Sequence, residues 1–81
     1  MNNNTHIGEF VPGRGFRMFV SAADLVSFRV YIARAGAQER ERYTLTSAEE
    51  PTNGGAHYFV GLHRTKDEMD RFLTEWTLRI D

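Results

Sequence analysis

Between Thr65 and Ile80 the apolar residues recur at helical spacing, and this stretch narrows the folds open to the chain more than any other. Met69, Phe72, Leu73, Trp76 and Ile80 fall on one side of a helix, the stripe of a surface helix that buries one face. Thr65 followed three residues later by Glu68 predicts a capping box, which gives two orphan N–H groups at the helix start their partners. Asp67, Glu68 and Asp70 lie where the positive end of the helix dipole favours them, and Arg79 lies at the other end. At about 1.5 Å per residue the helix is roughly 24 Å long, enough to cross one small sheet.

The chain has 81 residues, the size of one domain with a core one layer contact thick. Six Phe, three Tyr and one Trp supply that core. With no Cys, a disulfide framework, a thiolate metal site and a thiol nucleophile are excluded, and a reducing, cytoplasmic setting is expected. MNNNTHIGEF has neither the charged nor the apolar region of a signal peptide, and no apolar run is long enough to span a bilayer, so no membrane partner is expected.

Upstream of the helix the sequence alternates. Residues 1–14 are expected to form a flexible N-terminal tail and turn, with one compact domain over 15–81. Gly15–Val20 predicts a strand with Phe16, Met18 and Val20 to one side and Arg17 and Phe19 to the other. Leu25–Arg34, rich in β-branched and aromatic residues, favours a second strand after a Ser21–Asp24 turn. The alternative is a helix capped by Ser21-Ala22-Ala23-Asp24, with Leu25, Phe28, Ile32 and Ala35 as its stripe and Gly36 as its end. Ala35–Glu41 is expected as a hairpin tip, Arg42–Ser47 as a third strand, Ala48–Gly55 as an irregular loop, and Ala56–His63 as the fourth strand. The expected fold is α+β: a four-stranded antiparallel meander with one C-terminal helix on one face, the runner-up being β-α-β-β-α.

Chemistry is sparse. His57 and His63 face the same way on the expected strand, but at about 3.3 Å per residue they are roughly 20 Å apart, too far to share a metal. The serines lack a nucleophile signature, Glu49-Glu50 lie in the expected loop, and Asp67-Glu68 are explained by capping. The glycine turns lack the full phosphate-cradling patterns. The reading is therefore of a non-enzyme without cofactor or metal. HYFVGLHRTKDEMDRFL resembles the strand-then-helix end of the aminotransferase class V family; the matching residues are packing and capping residues, and nothing in context supplies that family's cofactor lysine, so no function is transferred.

The informative feature is the expected outer sheet face. Alternation places Arg17, Phe19, Arg29, Tyr31, Arg42, Thr44, Thr46, His57, Phe59 and His63 there. Nine of the ten basic residues are Arg, and Arg and aromatics carry energy at interfaces. Arg17, Phe19, Arg29, Tyr31, Arg42, His57, Phe59 and His63 are the candidate partner-binding residues. The alternatives are ordinary surface, a homodimer face, or a different register that dissolves the face. A net charge of −1 favours another protein as partner over single-stranded nucleic acid, which would stack on Phe19, Tyr31 and Phe59. The expected function is a small protein-binding module. Its profile resembles that of phage or mobile-element inhibitors of host defence, anti-CRISPR proteins among them. A nucleic-acid-binding regulator and an accessory subunit of a larger enzyme are the alternatives.

Overall fold

The computed structural model describes residues 5–34 and 49–79. The elements are β1 (His6–Val11), β2 (Gly15–Ser21), α1 (Ala22–Arg34), β3 (Glu50–Thr52), β4 (Gly55–Val60) and α2 (Lys66–Arg79). The four strands make one antiparallel sheet in the order β1-β2-β4-β3, so two hairpins lie side by side with β2 and β4 at the centre. The fold is α+β.

The pleat sorts the sheet into two faces. Phe16, Met18 and Val20 of β2 pair with Val60, Tyr58 and Ala56 of β4, and all six are buried. Both helices close over this side: Phe28 of α1 meets Tyr58 at 4.8 Å and Trp76 of α2 at 5.2 Å between ring centroids. Met69, Phe72 and Trp76 are buried and Leu73 packs half-buried beside them, as the helical spacing predicts; Ile80 lies outside the described residues. The capping box forms as expected, with Glu68 N–H donating to Thr65 Oγ1 at 3.2 Å and Thr65 N–H donating to Glu68 Oε1 at 2.9 Å. The Thr65 N–H, followed by other contacts at the cap, holds the Glu68 carboxyl below its ordinary pKa.

The structure corrects the expected segmentation in four places. Leu25–Arg34 belongs to a helix, not to a strand. The modest helix cost of its β-branched residues is outweighed because helical spacing lets Phe28 enter the core while Leu25, Tyr31 and Ile32 pack against it. Val26 and Val30, which a strand would set on the same face as Phe28, are 66% and 42% exposed. The start of α1 is held by buried polar groups: the Thr5 hydroxyl donates to Asp24 at 2.6 Å and accepts the Ser21 N–H at 3.0 Å.

Residues 6–11 form an edge strand, where a tail was expected. Ile7 pairs with Met18, and Phe10 with Phe16, so this polar-looking segment has its own core contacts. Val11-Pro12-Gly13-Arg14 closes the hairpin, with Arg14 N–H on Val11 O at 3.0 Å and Gly13 at φ +81°, the position that a Pro-Gly turn of type II gives to glycine. The expected Ala48–Gly55 loop contains β3 and the Asn53-Gly54 hairpin turn, and Pro51 is tolerated because β3 is an edge. Finally, β4 stops at Val60, since Gly61 turns to φ +69°. The sheet is thus no meander, and two helices cover it. The expected tip 35–41 and strand Arg42–Ser47 lie outside the described residues.

Candidate functional site

The side of the sheet away from both helices is built by the same alternation. His6, Phe19, His57 and Glu50 stand in register across β1, β2, β4 and β3. Their rings touch in sequence: Phe19 is 5.7 Å from His6 and 5.5 Å, edge-on, from His57. In the next row Arg17 pairs with Phe59, and a bulge sets both Gly8 and Glu9 of β1 against Arg17. Arg14, at the end of the β1–β2 turn, reaches across the same ring. Its guanidinium carbon lies 4.0 Å from the Phe59 centroid, and that of Arg17 lies 5.4 Å away. Phe59 is 0% exposed although it faces away from the core, because the arginine stems and heads roof it.

Of the candidate residues, Arg17, Phe19, His57 and Phe59 come together here. The alternation of β2 and β4 placed them correctly, but Phe59 is a floor for arginines and not an open platform. Arg29 and Tyr31 sit on α1, on the other side of the sheet, because the segment is helical. Tyr31 stacks among core aromatics, 6.4 Å from Phe28 and 5.9 Å from Phe72. His63 falls beyond β4 in an exposed turn, and Arg42, with Thr44 and Thr46, lies outside the described residues. His6, Arg14 and Glu50 join the site without having been expected, since β1 and β3 were read as tail and loop. The Pro12-Gly13 and Asn53-Gly54 turns, each flanked by apolar or β-forming residues, were the signals that pointed to them.

Arg29 has a different task. It grips Glu49 bidentately at 2.8 and 2.6 Å, and the Tyr58 hydroxyl donates to the same carboxylate. The Arg29 hydrogen bond, then that from Tyr58, pulls the Glu49 pKa down to about 2. Burial and then the Glu49 contact push the Tyr58 hydroxyl up, and Glu49 raises Arg29 further. This cluster ties the start of β3 to α1 and β4.

Among the described residues no three His, Cys, Asp or Glu side chains gather as a metal site, and no described helix is long and apolar enough to cross a membrane. What the outer face offers is a surface of planar, polarisable groups: one half-buried Phe between two imidazoles, and two guanidiniums on a shared ring. No family model, curated protein or solved structure matches the chain.

Proposed function

We propose that the chain is a non-catalytic binding module that engages another protein through the outer face of its sheet. The observation that carries this reading is the assembly of Phe19, His6 and His57 beside the Arg14–Phe59–Arg17 stack, on strands held by the core beneath and away from both helices. Arginine and aromatic side chains are those that carry most energy when an interface closes, and rigid strands lower the ordering cost of binding. A chain of net charge −1 has little long-range field, which suits short-range contact with a protein.

The narrower form of the proposal is a cytoplasmic inhibitor of a host defence protein, encoded by a phage or mobile element. Its support is the small cysteine-free chain together with the aromatic and arginine face of the sheet. Single-stranded nucleic acid is favoured less, because Phe59 is roofed and Tyr31 packs in the core, which leaves Phe19 as the stacking ring.

The test is affinity capture from cells that carry the target, comparing the natural chain with a Phe19→Ala, His57→Ala double variant. Both residues are half-exposed, so the variant keeps its fold by circular dichroism and loses the specifically captured protein. Retention of the same protein by the variant refutes the outer face as the contact surface. Salt-sensitive binding of a single-stranded oligonucleotide, with no protein captured, replaces the protein reading with the nucleic-acid one.

A further inference from the structure

Resting on that reading of the outer face, we propose that Arg17, seated beside Arg14 on Phe59, is the receptor for a single carboxylate side chain of the protein partner. Three observations converge. First, both guanidiniums are held against one buried ring, with their carbons 4.0 and 5.4 Å from its centroid. A guanidinium stacked on a ring keeps its in-plane N–H donors for a planar acceptor, and carboxylate fits that fork bidentately.

Second, the chain's own Glu50 shows which chemistry the site attracts. Its Oε2 stands 3.9 Å from Arg14 Nη2, within ion-pair range and too long for a hydrogen bond, with both side chains about half exposed. A carboxylate of the chain itself thus lies within ion-pair range of one of the paired arginines. Third, Arg17 is exposed and has no carboxylate within ion-pair distance among the described residues, whereas Arg29, Arg64 and Lys66 each do.

The flanks decide between one carboxylate and a polyanion. Glu9 is set opposite Arg17 by the bulge, and Glu50 borders Arg14. A run of phosphates would set many negative charges beside both acidic groups, while one carboxylate sets a single charge there. The occupant is therefore an Asp or Glu of a protein segment, and the neighbouring Phe19 with its two imidazoles gives that segment's apolar residues a place to lie.

The test uses the full chain and a short fluorescein-labelled peptide with one Glu set among Tyr and Gly residues, read by fluorescence anisotropy at low and physiological salt. The controls are the same peptide with Gln in place of Glu and a short single-stranded oligonucleotide. The Glu peptide binds, the Gln peptide binds about tenfold more weakly, and Arg17→Ala costs the Glu peptide about tenfold, as expected for a charge-assisted hydrogen-bonded pair. Glu50→Gln tightens binding by removing the competing carboxylate, and Arg71→Ala, an exposed arginine on α2, changes nothing. Equal affinity for the Glu and Gln peptides, an Arg17→Ala variant that binds like the natural chain, or tighter binding of the oligonucleotide overturns the proposal. Its failure separates cleanly from failure of the outer-face reading. If Phe19→Ala with His57→Ala loses the captured protein while Arg17→Ala keeps it, the face stands and the carboxylate receptor falls.

Discussion

At the scale of single residues, Trp76 and Gly61 show how tightly the core specifies side chains. Trp76 is 1% exposed and meets Phe28 edge-on, and its indole Nε1 has no hydrogen-bond partner among the described residues. Trp76→Ala should destabilise by about 3–5 kcal/mol in a urea melt, and Trp76→Phe should cost clearly less because an aromatic ring still fills most of the site. A loss below about 1 kcal/mol for the alanine variant would contradict the core position of α2. Gly61 turns the chain out of β4 at φ +69°, and a Cβ there would lie 2.5 Å from Met69 Sδ. Gly61→Ala should cost at least the left-handed penalty of about 1–2 kcal/mol, with a further loss as Met69 shifts. Phe59 follows the same logic on the other side of the sheet. Being fully roofed, it makes Phe59→Ala a stability variant costing about 3 kcal/mol, unsuited to testing binding.

At the scale of elements, caps and ties decide where helices and strands begin. The reciprocal bonds of Thr65 and Glu68 satisfy the first N–H groups of α2. Thr65→Ala should cost about 1 kcal/mol, and melting of the variant against the natural chain checks it. β3 is short and lies at an edge, and Glu49 just before it adds side-chain ties to its ladder. The Arg29 and Tyr58 contacts favour ionised Glu49 in the folded chain and pull its pKa down to about 2 from the ordinary 4.5. The folded state thus holds fewer protons at this site than the unfolded chain between those values. Its contribution is fully present above the ordinary carboxylate pKa and is lost as pH falls through about 2. Glu49→Gln should lower the urea midpoint at neutral pH, and the gap to the natural chain should close as pH approaches 2. A gap independent of pH would mean that the carboxylate's charge is immaterial to the tie.

At the scale of the whole molecule, the two hairpins share one core and neither helix is an accessory. Met69, Phe72 and Trp76 of α2 join Phe28 of α1 over residues drawn from β1, β2 and β4. A domain of this size buries only about 60% of its unfolded surface and has little stability to spare. A chain ending at Thr65 should therefore lose its cooperative thermal transition and near-ultraviolet circular dichroism together, whereas independent folding of the hairpins would leave a residual transition. The same economy explains the division of labour between the faces. One side of the sheet is used up by the core, which leaves the other, with its roofed Phe59 and in-register His6, Phe19 and His57, as the surface on which the proposed contact is argued.

The sequence by itself determined the α+β class, the extent and cap of α2, the inward and outward alternation of Gly15–Val20 and Ala56–Val60, and four residues of the outer face: Arg17, Phe19, His57 and Phe59. Each of these depends on local periodicity or a local cap, and both are written in neighbouring residues. The tertiary structure alone decided that Leu25–Arg34 is helical, because propensity and periodicity were balanced there and only Phe28's place against Tyr58 and Trp76 broke the tie. It alone recruited His6–Val11 and Glu50–Thr52 as edge strands. Each pairs with the next strand along the chain across a short turn, but the bulge between Ile7 and Phe10 breaks the period-2 pattern of His6–Val11, and Glu50–Thr52 is too short to show one. The roofing of Phe59 by Arg14 and Arg17 was likewise illegible in advance, since cross-strand and turn geometry set those distances. Which residues meet on a face is a matter of register, and register exists only once the strands have paired.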